Sequence, residues 1–331
     1  SDAQSGLQGI VAIHSTHRGP AFGGCRAWSY ASSTDALTDA LRLSRGMSYK
    51  NAIAGLPFGG GKAVIIRDKQ KPVTAEQFEA FGRAVNALSG RYITAEDVGV
   101  RVADMELVSR HTRYVGGLPQ RDGAVVRDGD PSPRTALGTY VGIQAAVQAR
   151  LGLDHLEGLR VAVQGLGHVG FGLCELLHQA GAKLVVSDIN SVAVYRAVEK
   201  FGATAASIDE ILTQDVDVVS PCALGATLNA RSIPQLRGSV VAGAANNQLE
   251  NDADGQRLHE RGILYAPDYV INAGGIIWVA AEYLRDPDEA GPLRQIEQIG
   301  VTLSEIFADS ARLNIPTSRV ADMRARELLK H

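Results

Sequence analysis

The chain is short of cysteine: Cys25, Cys174 and Cys222 are its only three in 331 residues, widely spaced and with no CxxC pair. That pattern argues against a disulfide framework and for free thiols in a reducing cytosol. No apolar run reaches 18 residues, which excludes a membrane-spanning helix, and Ser1-Asp-Ala-Gln-Ser-Gly6 carries no signal-peptide pattern. A cytoplasmic location follows as the expectation. Charge of one sign is also missing. Lys and Arg number 33 against 36 Asp and Glu, a net charge of −3 that gives no electrostatic reason to expect nucleic acid or an anionic membrane. What remains is 45% hydrophobic and 21% charged, an ordinary soluble composition with length enough for two cores. The chain opens almost directly on a strand-like run, so further residues are expected to precede Ser1.

Hydrophobic spacing predicts an α/β protein. A strand is expected over residues 6–14. A helix carrying Leu37, Leu41, Ser44 and Met47 should follow Thr34 as N-cap, with a strand over 62–66 after it. Phe78, Phe81, Val85 and Leu88 mark an amphipathic helix opened by Thr74, with Gln77 three residues on as a capping box. A third helix is expected over about 101–112. Residues 116–133 are dense in turn formers, and Ser132-Pro133 then starts a linking helix through 151. The expected division is a first α/β domain over 1–133, a second domain over 134–290 and C-terminal helices over 291–331 packing back toward the first domain. A cleft is expected between the two domains.

The second half opens with an apolar strand, Leu159–Gln164, and then Gly165-Leu-Gly167-His168-Val169-Gly170, a helix and the strand Lys183–Asp188. A lone GxGxxG is weak evidence, but strand before, helix after and an acid ending the next strand supply its context. Gly165 allows the tight turn, Gly167 lets a pyrophosphate approach and Gly170 permits close helix packing. Asp188, 23 residues after Gly165, is placed to meet a ribose hydroxyl and to repel a 2′-phosphate, which favours NAD. Ile189 follows it. His168 and Val169 are expected beside the cofactor, His168 without a proton-transfer role. Short apolar strands at 216–220, 240–243 and 263–265 extend a parallel sheet covered by helices, so residues 134–290 are expected to form a doubly wound Rossmann dinucleotide-binding domain, with an apolar stripe of Ile296, Ile299, Leu303, Ile306 and Phe307 beyond.

The chemistry-bearing stretch lies earlier. Lys50 and Lys62 flank Gly59-Gly-Gly61, expected as a turn, and Thr94-Ala-Glu-Asp97-Val-Gly follows. Glycines let a ligand approach the backbone, and in a closed cleft a lysine beside another cation can serve as a base. Taken singly, such lysines are more often solvated, and Asp97 could simply cap the helix near 101. His14 and His17 lack a third ligand, so no metal site is expected.

Together, Gly19-Pro-Ala-Phe22-Gly23-Gly24-Cys-Arg, Met47-Ser-Tyr-Lys50-Asn-Ala, Gly59-Gly-Gly-Lys62, Thr94-Ala-Glu-Asp97, Asn246-Asn247-Gln-Leu and Asn272-Ala-Gly-Gly resemble the Glu/Leu/Phe/Val dehydrogenase superfamily. The likeness is to its leucine, phenylalanine and valine branch, over nearly the whole chain and in the family's order. It implies NAD-dependent, reversible deamination of an apolar L-amino acid to a 2-oxo acid and ammonia by a homo-oligomer. Lys50 would hold the substrate carboxylate, with Gly24 close by. Lys62 would activate water, and Asp97 would exchange protons with the substrate nitrogen. Asn272 would contact the amine, Asn246 or Asn247 the nicotinamide ribose and Thr135 the carboxamide.

The positions matching the side-chain pocket, Phe22, Gly23, Ala95, Ile276 and Val279, are apolar and offer no cation to a second carboxylate, which argues against glutamate. Phe22 and Trp278 depart from the usual pattern. A branched aliphatic side chain is the first expectation and an aromatic one (phenylalanine or tryptophan) the second. A 2-oxo acid condensing enzyme on the same scaffold and a non-catalytic NAD-binding protein are the competing readings.

Overall fold

The computed structural model describes residues 1–69, 71–122, 125–127, 129–223, 225–286, 288 and 290–330. Part of the turn-rich 116–133 segment (residues 123, 124 and 128) therefore lies outside the described residues. The chain forms two compact units, one of residues 1–130, 279–287 and 325–331, the other of residues 131–278 and 288–324.

The first unit contains β1 (Gly9–Ser15), β2 (Ala21–Phe22), β3 (Cys25–Trp28), α1 (Ser33–Ile53), β4 (Gly59–Ile66), α2 (Ala75–Ala87), β5 (Tyr92–Ile93), α3 (Val102–Ser109), β6 (Gln120–Asp122) and β7 (Val125–Arg127). Its main sheet runs β1-β4-β2-β5, with β3 also paired to β4. β1 is antiparallel to β4 and the other pairings are parallel. β2 and β3 form one path along β4, broken at Gly23-Gly24: Phe22 lies opposite Gly60 and Cys25 opposite Ala63. β6 and β7 make an antiparallel pair. Phe78, Phe81, Val85, Tyr92, Met105 and Val108 fill the core under α2 and α3.

Two local expectations change. Gly59, Gly60 and Gly61 do not form a turn; they begin β4. A Cβ at Gly59 would land on the Ser15 carbonyl, one at Gly60 on the Ser48 backbone nitrogen, and one at Gly61 2.8 Å from the Tyr92 ring. The glycines let β1, α1 and Tyr92 close on the strand. That same closeness sets the buried face of α1. Ala36, Ala40, Leu43, Ser44 and Ser48 are buried, while Leu37 and Leu41 are exposed, because small side chains fit where helix and strand nearly touch. Ser32 caps α1 instead of Thr34, its side chain accepting from the Asp35 amide at 3.1 Å. The Thr74–Gln77 capping box of α2 is present as expected.

The second unit contains α4 (Ser132–Leu151), β8 (Arg160–Gln164), α5 (His168–Gln179), β9 (Lys183–Ser187), α6 (Ser191–Phe201), β10 (Thr204–Ala205), β11 (Val218–Pro221), β12 (Val240–Val241), α7 (Asp252–Glu260), β13 (Leu264–Tyr265) and α8 (Asp268–Ile271). There follow α9 (Gly274–Leu284), α10 (Ala290–Leu313) and α11 (Thr317–Leu328), α9 and α11 each ending in residues of the first unit. Six parallel strands run β10-β9-β8-β11-β12-β13, so the winding reverses beside β8. In such sheets ligands sit beyond the strand C-termini at that reversal. The stripe Ile296, Ile299, Leu303, Ile306 and Phe307 of α10 is buried, and Gly142 on α4 makes room for it: a Cβ there would come 2.9 Å from Leu303 Cδ1. No helix of the described residues is long and apolar enough to cross a membrane.

Candidate active site

In the first unit β4 carries Lys62 into the interior, only 5% exposed. Its Nζ lies 2.7 Å from Asp97 Oδ2. Asp97 reaches that point because backbone pairing continues past β5: Gly23 N donates to Ile93 O and Cys25 N to Ala95 O. Gly23 and Gly24 are what let the strands pass this closely. A Cβ at Gly23 would strike the Gly61 carbonyl, and one at Gly24 would sit 2.9 Å from Asp97 Cβ. Tyr92 fixes the pair from beneath, its hydroxyl donating to Gly23 O at 2.6 Å.

Lys50 lies half-buried in the last turn of α1. Its neighbour Asn51 anchors that helix end, donating to Gly59 O at 2.6 Å and Phe22 O at 3.1 Å. Asp97 is not a helix cap: Asp104 closes the start of α3 by accepting from Arg101 N at 2.9 Å.

Burial alone would raise the Asp97 carboxyl, but the Lys62 ammonium and the Arg26 guanidinium beside it hold it down at about 2. Arg26 Nε is 3.3 Å from the same Oδ2 and its Nη1 is 3.2 Å from Asp39. The sequence reading missed Arg26, Tyr92 and Asn51. The available signal for Arg26 was a cation inside the otherwise apolar run after Gly24.

Phe22 is fully buried, edge-on to Phe58 at 5.0 Å and to Tyr283 at 5.7 Å between ring centroids. Gly116 faces this ring: a Cβ there would meet Phe22 Cζ at 2.5 Å and Val279 Cγ1 at 2.9 Å. Phe22, Gly23, Ala95 and Val279 thus belong to the first unit and are buried, whereas Ile276 is half-buried in the second.

In the second unit Gly165 has φ +99°, and a Cβ there would lie 2.7 Å from the Ala223 nitrogen. A Cβ at Gly170 would strike the Gly165 carbonyl, so the first turn of α5 rests on the loop. Gly167 caps α5 and has no side chain to make a cap bond, and among the described residues nothing lies within 4 Å of its missing Cβ. Exposed His168 and half-buried Val169 follow. Asp188 ties the end of β9 to this loop, accepting from Leu166 N at 2.6 Å and Asn190 N at 2.7 Å, with exposed Ile189 between. A helix start, space beside Gly167 and a carboxylate at the neighbouring strand end suit a dinucleotide.

Asn272 donates to Ala244 O at 2.9 Å and Asn246 Oδ1 at 2.8 Å. Its own Oδ1 is buried with no hydrogen-bond partner among the described residues. A buried acceptor left so is costly, and a bound N–H would satisfy it. Asn247 is exposed at φ +52°, and Thr135 Oγ1 donates to Pro131 O at 3.0 Å. His14 Nδ1 sits 2.8 Å from Ser48 Oγ. No three potential metal-ligating side chains cluster among the described residues.

Comparison with known proteins agrees across the chain. Residues 1–114 match the family described as Glu/Leu/Phe/Val dehydrogenase, dimerisation domain, and residues 130–197 and 189–290 match Glutamate/Leucine/Phenylalanine/Valine dehydrogenase. The leucine dehydrogenase of Bacillus subtilis (strain 168) is 51% identical over 99% of this chain and 89% of its own length. The valine dehydrogenase of Streptomyces virginiae is 44% identical over 98% of this chain and 91% of its own. The crystal structure of L-tryptophan dehydrogenase from Nostoc punctiforme superposes with a TM-score of 0.83 at 42% identity, covering 100% of this chain and 94% of that one.

Proposed function

Because the chain belongs to the Glu/Leu/Phe/Val dehydrogenase family, we propose that it deaminates apolar, branched-chain L-amino acids reversibly with NAD, yielding the 2-oxo acid and ammonia. Membership makes it an amino acid dehydrogenase, an oxidoreductase that uses a nicotinamide cofactor. The observation that carries the finer reading is the buried Lys62–Asp97 pair, 2.7 Å apart beside Gly23-Gly24.

NAD, held at Gly165, Gly167, Gly170 and Asp188, supplies the acceptor for the hydride leaving the substrate Cα. The carboxylate of Asp188 disfavours a 2′-phosphate there. Asn246, Asn247 and Thr135 are assigned to the nicotinamide end. Lys50 holds the substrate carboxylate as a point charge, and Gly24 lets it lie against the backbone. Asn272 Oδ1 accepts from the substrate amine. Asp97 is a carboxylate in the free protein, so it first takes a proton from the substrate nitrogen and later returns it to the departing amine. Lys62, in its neutral form, removes a proton from the water that attacks the iminium carbon. Fixing the carboxylate and the amine at separate points sets Cα in one orientation, which supplies the positional part of the rate.

Phe22 takes up room within the pocket positions, which favours aliphatic over aromatic side chains, and the leucine and valine dehydrogenase relatives support the same choice. The absence of a cation among Phe22, Gly23, Ala95, Ile276 and Val279 disfavours glutamate. We further take the chain to be cytoplasmic and to assemble with copies of itself. The description of the family matched by residues 1–114 and the exposed Leu37 and Leu41 support assembly.

The test is a kinetic panel following reduced nicotinamide absorbance with leucine, valine, phenylalanine, tryptophan and glutamate. Leucine and valine are expected to lead. No turnover with any amino acid, and none with 2-oxo acids, ammonia and NADH, would overturn the reading. Consumption of a 2-oxo acid without ammonia would establish the condensing enzyme instead.

A further inference from the structure

A lysine that acts as a base must first give up a proton, and a carboxylate 2.7 Å away opposes that loss. The residues around Asp97 contain a counterweight. Arg26 Nε approaches Asp97 Oδ2 at 3.3 Å, the oxygen that Lys62 contacts from β4. The far side of the guanidinium is braced by Asp39 at 3.2 Å, and Tyr30 donates its hydroxyl to the same Asp39 oxygen at 2.6 Å. Burial, reinforced by Asp39, pushes the Tyr30 phenol up, so it remains a donor.

Two groups that face Asp97 from β3 and β5 add no charge. Burial pushes the Cys25 thiol on β3 and the Tyr92 phenol on β5 far up, so both stay neutral. Glu96 is its neighbour along the chain, and Lys50 on α1 is the remaining charged group assigned to the site. Lys62, Asp97, Arg26 and Asp39 form one chain of ion pairs, all with side chains a quarter exposed or less.

We propose that Arg26 is a positioning residue for the deamination: braced by Asp39 and Tyr30, it holds the Asp97 carboxylate in place and balances its charge, so that the Lys62–Asp97 pair can release a proton. The proposal rests on the dehydrogenase reading given above. When the proton leaves with Arg26 present, Asp97 stays paired with a permanent cation. Without Arg26 the same loss strands a buried carboxylate, which is disfavoured. The two carboxylates act oppositely on this balance. Asp97 is the group being held, whereas Asp39 partly neutralises the cation that holds it.

That opposition gives a sign test. The pH dependence of kcat/KM is compared for the wild type, Arg26→Gln, Arg26→Lys and Asp39→Asn, alongside the carboxyl carbon resonance of Asp97 in unliganded protein. Arg26→Gln is expected to move the acid limb to higher pH by about one unit or more. Arg26→Lys is expected to restore most of the wild-type position. Asp39→Asn should move the limb the other way, to lower pH, and by less because Asp39 is more exposed. Loss of rate with an unmoved limb, or both charge variants moving it in one direction, would overturn the proposal.

Should Arg26→Gln fail to fold, the other two variants carry the test, and an unmoved or raised limb in Asp39→Asn overturns it. The resonance separates the two readings. An Asp97 midpoint that is raised in Arg26→Gln supports the clamp even in a protein without dehydrogenase activity, and an unchanged midpoint sinks it.

Discussion

Phe22 and Gly116 have complementary volumes, since the ring occupies space that any side chain at Gly116 would need. Gly116→Ala should therefore cost about 1–3 kcal/mol of stability through overpacking against Phe22 and Val279. Phe22→Leu in the same chain should recover much of that loss, a coupling that a double-mutant cycle in urea would measure. Additive losses would show that the two sites do not share volume. Asp97 supplies a second prediction. Its carboxyl sits below the ordinary 3.8, near 2, so its ion pairing stabilises the fold above about pH 4 and is lost as pH falls through about 2. The shift corresponds to roughly 2 kcal/mol for this largely buried side chain. Asp97→Asn lacks that contribution, so the stability gap between wild type and variant should narrow by this amount from about pH 5 to about 2. A gap that stays constant across the range would count against the pairing described.

Glycine within a single element means different things according to what approaches it. Gly46 on α1 would set its Cβ in open space, whereas a Cβ at Gly60 on β4 would land on the Ser48 backbone. Gly46→Ala should thus stabilise the protein by about 0.5–1 kcal/mol through helix propensity. Gly60→Ala should cost about 3 kcal/mol or more, since backbone cannot yield as a side-chain end can. Thermal midpoints of the two variants moving in the same direction would refute the account of how α1 lies on β4. The same contrast explains what the sequence discloses. The loop at Gly165, Gly167 and Gly170 is legible because its partners, a strand before and a helix after, are local. So is the Thr74–Gln77 box. The three glycines of β4 read as a turn because their reason is tertiary: Ser15, Ser48 and Tyr92 arrive from elsewhere in the chain. The spacing of Leu37 and Leu41 marks a helix but not its buried face, because nothing local reveals that small residues face the strand. Arg26 escapes notice because Asp39 and Asp97 meet it only after folding, 13 and 71 positions away.

Across the whole molecule, the residues assigned to acid–base chemistry and those assigned to the dinucleotide fall in separate compact units. Lys50, Lys62 and Asp97 belong to the first, and Gly165, Gly167, Gly170 and Asp188 to the second. Each unit has its own core, so damage to one set of contacts should leave the other intact. A ligand that binds only folded protein raises its thermal midpoint by mass action, which gives a reading of cofactor binding independent of turnover. Lys62→Ala should lose about a hundred- to ten-thousand-fold in kcat while NADH still raises the midpoint as in the wild type. In Gly170→Ala the added Cβ strikes the Gly165 carbonyl and deforms the loop, so NADH should lose its stabilising effect. The Lys62–Asp97 pair should survive that change, and the Asp97 carboxyl should keep its low midpoint. The two variants thus fail in opposite ways. If Lys62→Ala turned over normally, water activation would have to be assigned elsewhere. If Gly170→Ala still bound NADH as the wild type does, the loop would not be where the dinucleotide lies, however well its strand, turn and helix fit one.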